Sequence, residues 1–214
     1  MLLNTDEMVK CMQRAVELDP TIVEAQTILA SWYGMAGRTD ESIQAFEQVV
    51  RLAPYNSRAR YGLALEYLHA NRKKDALKQW KQLKTVDPAQ ADKLYAQINH
   101  LEAKSCFGKG MDALRLKDLD KAVTYYEKGL ELAPNTMQPM LILGGLYTEK
   151  NRFDEAIELF HAIVKINPEY IRAHFYLGVA YAKKGDIQNA MREYEILRKA
   201  GSPDAEKLSK YLPK

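Results

Sequence analysis

The chain has 214 residues, of which 47% are apolar and 28% are charged, and its formal net charge is +3. These proportions are ordinary for a globular protein, and the absence of an apolar run of about 18 residues predicts no membrane-spanning helix. The two cysteines, Cys11 and Cys106, are too few for a disulfide framework or a cysteine-based metal site, so we expect neither a metal nor any other cofactor.

The first predicted element is a helix over residues 4–18, and we interpret residues 4–20 as half of a repeat. Its apolar side has no preceding helix to cover it, so we predict self-association through Met8, Met12 and Val16. A half repeat also indicates a trimmed start. The sequence favours the cytoplasm and leaves an upstream targeting signal open.

The clearest unit is the stretch 137–170, which predicts two amphipathic helices joined by a tight turn. Pro168 ends the second helix, because proline lacks the backbone N–H. We expect Gly144 and Ala156 to face each other and to let the two helix axes approach closely, with Phe160 beside them. The apolar or small residues of the first helix fall at i, i+3, i+4 and i+7, namely Met140, Leu143, Gly144 and Tyr147.

The same unit recurs at a step of 34 residues. The closing prolines are Pro20, Pro54, Pro88, Pro134 and Pro168. A small residue recurs in the first helix at Ala30, Ala64, Gly110, Gly144 and Gly178. A large aromatic residue recurs in the second helix at Phe46, Trp80, Tyr126, Phe160 and Tyr194.

This pattern resembles the tetratricopeptide repeat family in its period and in its order of small, aromatic and proline positions. The resemblance implies an all-α fold, a right-handed α-solenoid of tandem helix–turn–helix repeats. The matching repeats cover residues 23–56, 57–90, 103–136, 137–170 and 171–204.

An insert at residues 91–102 interrupts the repeats, and it predicts a linker helix that runs on to about Leu116. The second half of the chain copies the first at an offset of 114 residues, so the terminal stretch 204–212 corresponds to 90–98. Because a solenoid needs a polar-faced cap at its open end, we interpret 204–212 as a capping helix. The predicted organisation is two modules, residues 1–102 and 103–214.

No grouping of residues predicts catalysis, and we expect the protein not to be an enzyme. The four histidines form no closely spaced pair, and neither a Ser/His/Asp nor a Cys/His arrangement occurs in a recognisable context. The histidines are His69, His100, His161 and His174.

The resemblance implies that the first helices line a concave face, where a partner segment binds. An uncharged stripe follows repeat positions 5, 9 and 12, with a mostly basic rim at positions 2 and 13. An alternative is that neighbouring repeats bury much of this stripe. The candidate groove residues are Tyr61, Leu65, Phe107, Met111, Leu114, Leu141, Thr148, Phe175 and Val179, and the rim residues are Arg58, Lys104, Arg115, Arg172 and Lys183.

Charge is unevenly distributed, with a net −4 over residues 1–56 and a net +6 over residues 57–86. The basic stretch predicts an acidic protein partner. It argues against nucleic acid, because RNA-binding surfaces add stacking aromatics among the basic residues and Trp80 here falls at the core aromatic position.

We therefore predict a non-catalytic scaffold that binds a protein or peptide, apolar with acidic flanks, in the concave groove. The alternatives are a self-assembly module that forms a homo-oligomer, an RNA-binding solenoid and a regulatory domain cut from a larger enzyme. Some family members hold a C-terminal carboxylate in a Lys/Asn/Arg clamp. Only Arg172 keeps the charge here, which argues against that ligand.

Overall fold

The computed structural model describes residues 5–213, and it describes side chains from Glu7 onward. Residue 4, where the predicted first helix begins, lies outside that range. Over the described range the chain forms helices and no strand, which confirms the all-α prediction. The helices are α1 (Thr5–Leu18), α2 (Val23–Met35), α3 (Thr39–Leu52), α4 (Ser57–His69), α5 (Lys73–Val86), α6 (Pro88–Arg115), α7 (Leu119–Leu132), α8 (Met137–Glu149), α9 (Phe153–Ile166), α10 (Ile171–Lys184), α11 (Ile187–Lys199) and α12 (Asp204–Ser209).

The helices fold as two compact units, of which the first ends at Ile98 and the second begins at Asn99. Both this boundary and the one predicted at residues 102 and 103 fall within α6. The linker helix is longer than the predicted 91–102, and its continuation to about Leu116 is confirmed, because α6 runs to Arg115. Pro88 begins α6, where a missing backbone N–H leaves no hydrogen bond unmade.

A left-handed residue ends the first helix of every repeat. The residue that follows donates its N–H to the carbonyl five positions earlier, as Arg38 does to Tyr33 at 2.8 Å. This hydrogen bond and the left-handed residue form the Schellman motif that stops a helix. Gly37 and Asn71 end the first helices of the two full repeats of the first unit in this way. The left-handed residues are Gly37, Asn71, Lys117, Asn151 and Gly185.

Glycines of the first helices leave room for aromatic rings to pack directly against the helix backbone. We call such a position a glycine seat. A Cβ built on Gly144 would lie 2.5 Å from Phe160, and one on Gly110 would lie 2.8 Å from Tyr126. The expected place of Phe160 beside Gly144 is confirmed, because its ring packs directly against the Gly144 backbone. Phe160 is fully buried in the core of the second unit.

Successive repeats are joined by a tyrosine that bonds to a side chain 20 residues earlier. Tyr67 and Tyr147 donate their hydroxyls to Glu47 and Glu127, each at 2.6 Å. Burial, and secondarily the carboxylate that accepts the bond, raises the pKa of both tyrosines, so both remain donors.

A second repeated contact satisfies the carbonyl of the closing proline. At repeat position 4, a polar side chain reaches the proline carbonyl six residues earlier. His174 makes this contact at 2.9 Å through Nε2, while its Nδ1 lies 2.7 Å from Glu193 Oε2. The residues that share the contact are Gln26, Arg60 and His174.

The last helix covers the end of the second unit. α12 is shorter than the predicted 204–212, since it spans Asp204–Ser209. Its Leu208 is fully buried and packs on Gly178 of α10. In the first unit, Leu94 of α6 is fully buried in the same manner.

Candidate functional site

The first unit contains an open cavity of about 390 Å³ on the exposed side of α2. Most of its wall comes from α2, with one residue from α1 and two from the start of α4. We call this site the α2 cavity. Its lining residues are Met8, Val23, Glu24, Thr27, Ile28, Ser31, Trp32, Met35, Asn56 and Arg58.

The uncharged polar residues of the α2 cavity already have hydrogen-bond partners within their own helices. Thr27 and Ser31 donate their hydroxyls to carbonyls one turn earlier in α2, at 2.7 and 2.9 Å. Asn56 accepts a hydrogen bond from the N–H of Ala59 and so caps α4. These groups are therefore satisfied without a ligand, and the wall behaves as a largely apolar surface.

Large apolar side chains form the exposed part of the wall. Met35 is 81% exposed and Ile28 is 37% exposed, and Trp32 lies between them along α2. Side chains of this size are favourable to cover, because burying one removes a large apolar area from water. The cavity is thus a surface on which an apolar partner would gain contact area.

Two exposed residues of opposite charge, Glu24 and Arg58, lie on the wall of the α2 cavity. Within the described residues neither forms an ion pair. Arg58 belongs to the predicted basic rim, and Glu24 at the equivalent position of the preceding repeat is the acidic exception. The charges can therefore orient a bound segment.

Part of the predicted groove in the second unit is buried and not open to solvent. Leu141, Thr148 and Val179 are only 5%, 7% and 7% exposed, so they cannot line an open surface. Thr148 also donates its hydroxyl to the carbonyl of Gly144. The alternative is correct for these three residues, because neighbouring helices cover them: Leu141 belongs to the main core cluster of the second unit, and Val179 belongs to the cluster that contains Leu208.

The aromatic residues of the predicted row also belong to the packing of the second unit. Phe107 stacks on Tyr126 with ring centroids 6.0 Å apart and lies against Gly129. Phe175 packs on the cluster that holds Leu208. Phe175, a predicted groove residue, is therefore partly buried by this packing.

The remaining groove candidates differ in exposure. Met111 is 45% exposed, and Leu114 is partly buried against the core of the second unit. Tyr61 and Leu65 are partly buried against the core of the first unit. Of the nine predicted groove residues, only Met111 is exposed as a large apolar side chain.

The predicted rim residues all lie at the surface, and the predicted self-association residues do so only in part. The exposed fraction of Met8 is 37%, but Met12 and Val16 are partly buried on a helix that packs against α2. Arg115 pairs with Asp112 at 3.2 Å. The exposed rim residues are Arg58, Lys104, Arg115, Arg172 and Lys183.

The sequence analysis missed the apolar wall of the α2 cavity, although the sequence carries a signal for it. Ile28, Trp32 and Met35 fall at i, i+4 and i+7, which places them on one helix face. That face lies beside the predicted stripe. Its three residues do not recur together in the other repeats, whereas the stripe uses positions that all repeats share.

Neither a metal site nor a membrane span is found in the part of the chain that the structure describes. No three His, Cys, Asp or Glu residues between 5 and 213 come together as metal ligands would. No helix in the same range combines the length and the apolar character that crossing a bilayer demands.

Repeated hairpins with Schellman turns and aromatic–glycine seats define an all-α helical repeat protein. Family models of the tetratricopeptide repeat match residues 35–98, 103–136 and 172–200, and a TPR repeat model matches residues 144–185. The chain belongs to the tetratricopeptide repeat family.

The chain is similar to parts of longer curated proteins. It is 30% identical to the peroxisomal targeting signal receptor of Saccharomyces cerevisiae over 73 residues, which are 34% of this chain and 12% of the relative. It is 30% identical to heat shock protein STI1 of the same yeast over 91 residues, which are 41% of this chain and 15% of the relative. The chain thus spans less than a fifth of the length of either relative.

Among solved structures, the chain is similar to a MamA protein. The likeness covers 90% of this chain and 96% of the MamA chain, at 21% identity and a TM-score of 0.43.

Proposed function

We propose that this protein is a non-catalytic scaffold that binds a segment of another protein in the α2 cavity. The observation that carries the proposal is a largely apolar, open wall in which the uncharged polar groups are already hydrogen-bonded. A scaffold surface of this kind gains binding energy when a partner covers its apolar side chains. Binding of this kind needs no catalytic group.

The charges on the wall favour a particular partner. Arg58 is the basic residue that lines the cavity, and it makes no ion pair with another described residue, so it offers a contact for an acidic side chain at one end of the segment. Ile28, Trp32 and Met35 offer the apolar contacts. The proposed ligand is therefore a short apolar segment with an acidic flank at the Arg58 end.

The expected affinity is modest. With Met8, which also lines the cavity, the wall offers about four apolar anchors, and at about 2 kcal/mol each they give about 8 kcal/mol of gross stabilisation. Association costs at least about 4 kcal/mol in lost freedom. The remaining binding energy of about 4 kcal/mol or less corresponds to a Kd of about 1 mM or weaker for a short peptide alone.

Peptide-library capture followed by titration of a captured peptide tests the proposal. Met35→Asp should weaken binding at least about tenfold, because it places a charge on the apolar wall. Leu116→Asp is the matched control, since Leu116 is also 81% exposed but lies outside the cavity. The control should bind like the parent, and circular dichroism should show both variants folded.

Charge reversal at Arg58 tests the orientation of the ligand. Arg58→Glu should weaken binding at low salt, and the difference from the parent should shrink as salt rises, because Arg58 is exposed. A captured set dominated by basic peptides, or a Met35→Asp variant that binds like the parent, would contradict the proposal.

Self-assembly is a second candidate, and it is favoured by the exposed apolar residues around α1. Met8 is 37% exposed and Leu18 is 72% exposed. Because Met12 packs towards α2, Met8→Glu is the sharper test. It should shift a concentration-dependent dimer towards monomer in light scattering, and a parent that stays monomeric at high concentration argues for the scaffold alone.

A further inference from the structure

Trp80 is less buried than three of its four counterparts in other repeats. At the same repeat position, Phe46, Tyr126 and Phe160 are 5%, 1% and 0% exposed, whereas Tyr194 is partly buried. Trp80 is also only partly buried, although it stands at the position that the repeat uses for a core aromatic. One part of its indole packs against the core of the first unit, and the rest is exposed on α5.

The reason is the lack of a glycine seat. Phe46 packs against Gly62, and Tyr126 packs against Gly110. The helix that follows Trp80 is α6, which contains no glycine before Gly108, so it offers no counterpart of Gly62. Ala64 stands at the Gly110 position of the Trp80 repeat, as the fully buried Ala30 does in the Phe46 repeat.

Trp80 packs instead on a tyrosine from the inserted helix. The ring centroids of Trp80 and Tyr95 lie 4.9 Å apart and their planes differ by 20°, which is a stacked arrangement. Tyr95 is itself 43% exposed. The pair forms a flat aromatic surface within the first unit.

Lysines without acidic partners lie beside this pair. Lys84 Nζ is 5.1 Å from the centre of the Trp80 ring. Lys81 and Lys74 lie within about 80° of Lys84 around the α5 axis, because helical residues advance by about 100° each, and Trp80 lies about 40° from Lys84 in the opposite direction. Among the described residues these three lysines form no ion pair. The nearby acid, Asp75, is held by Arg72 and Lys78 at 3.0 and 2.9 Å.

We propose that Trp80, Tyr95, Lys74, Lys81 and Lys84, here called the aromatic–lysine surface, bind an acidic polypeptide segment that contains aromatic residues. The lysines attract carboxylates, and the exposed rings stack with an aromatic side chain of the partner. None of the five lines the α2 cavity, so this site does not depend on the function proposed for that cavity.

The arrangement favours polypeptide over single-stranded nucleic acid. Nucleic-acid channels stack successive bases on separate aromatic platforms. Here the two rings stack on each other and offer a single platform. The nearby Arg72 is engaged by Asp75 and lies over the Tyr67 ring, so it is not free to hold a phosphate.

Tryptophan fluorescence can test this surface directly. The chain has two tryptophans, so Trp32→Phe leaves Trp80 as the reporter. A random glutamate–tyrosine copolymer should change the Trp80 emission saturably, and salt should weaken its binding. Polyglutamate, which lacks rings, should bind more weakly than the copolymer.

Variants in the same background assign the roles. Lys84→Glu and Tyr95→Ala should each raise the Kd about tenfold or more, whereas Tyr95→Phe should bind like the parent because it keeps the ring. Lys128→Glu is the matched control, because Lys128 is exposed on α7 and forms no ion pair with a described residue. Its Kd should be unchanged.

Several outcomes would overturn the proposal. Oligouridylate binding as tightly as the copolymer would assign the surface to nucleic acid. Polyglutamate binding as tightly as the copolymer would remove the role of the rings. A Lys84→Glu variant that binds like the parent, or an emission that does not change with the copolymer, would show that the surface does not bind acidic segments.

Discussion

The segments that cover the last repeat of each unit can be compared residue by residue at the 114-residue offset. Ala64, Trp80 and Leu94 in the first unit correspond to Gly178, Tyr194 and Leu208 in the second. Leu94 and Leu208 are both fully buried. The buried leucine is thus common to both segments, while the residues around it differ.

Those differences change what each segment presents to solvent. Leu208 packs directly on Gly178, and α12 ends one residue later, at Ser209. In the first unit, Leu94 is followed by Tyr95, and α6 continues to Arg115. In each segment the leucine is buried together with an alanine, Ala91 or Ala205, and the neighbouring residues decide what the helix presents to solvent.

The largest expected effect comes from removing the shared leucine. Leu94→Ala and Leu208→Ala should each lower the free energy of unfolding by about 2–5 kcal/mol, because each leaves a cavity in a closely packed site. Urea unfolding followed by circular dichroism measures this. If only one of the two variants is destabilised, the two segments do not play equivalent structural roles.

His174 and Glu193 test a second pair of equivalent positions, which are Arg60 and Gln79 in the first unit. His174→Leu should cost about 1–3 kcal/mol, because the Glu193 carboxylate and the Pro168 carbonyl lose a buried partner. His174→Gln should cost less in the same urea experiment, since Gln26 makes the proline contact at this repeat position. Equal losses of unfolding free energy in His174→Leu and His174→Gln would show that the His174 ring contributes by packing and not as a hydrogen-bond donor.

Gly178→Ala introduces into the second unit the alanine that the first unit has at the equivalent position, Ala64. The new methyl would overlap Leu208 and lie 3.2 Å from Glu193 Cβ, so we expect a loss of about 1 kcal/mol or more in urea unfolding. Gly145→Ala is the control, because no atom lies within 4 Å of its added carbon. A Gly178→Ala variant as stable as this control would mean that α12 shifts to accept the methyl group.

The smallest effect should come from the turns. Lys117 has a φ of 58° where the equivalent residue of the last repeat is Gly185, with a φ of 88°. Lys117→Gly should raise the free energy of unfolding by about 1 kcal/mol, because a side chain costs energy in the left-handed region. A shift of the urea midpoint to higher concentration would show it, and a shift to lower concentration would contradict it.

Much of the fold followed from patterns that the repeat requires. The closing prolines, the helix periodicity and the recurring small and aromatic residues are local signals, and the structure places the hairpins where they predict. The continuity of α6 through the insert was predicted as well, because that stretch contains no helix-breaking residue before Gly108. Phe160 was expected beside Gly144, and the structure adds how closely its ring approaches the Gly144 backbone.

The candidate site was less predictable. The predicted stripe shared its positions across all the repeats, but Leu141, Thr148 and Val179 lie inside the second unit. The α2 cavity depends on residues that belong to a single repeat, such as Trp32 and Met35. Positions that all repeats share are mostly packing positions, whereas the apolar wall consists of residues that make one repeat different from the others.

The sequence by itself determined the repeat, its helices, its turns and the internal duplication, because period, proline and glycine act through local backbone chemistry. Only the tertiary structure decided which side chains remain at the surface. Burial depends on what a neighbouring helix places opposite each residue, as Tyr95 of α6 does for Trp80. That relation joins residues distant in the chain, so the aromatic–lysine surface and the α2 cavity became visible only once the helices were packed.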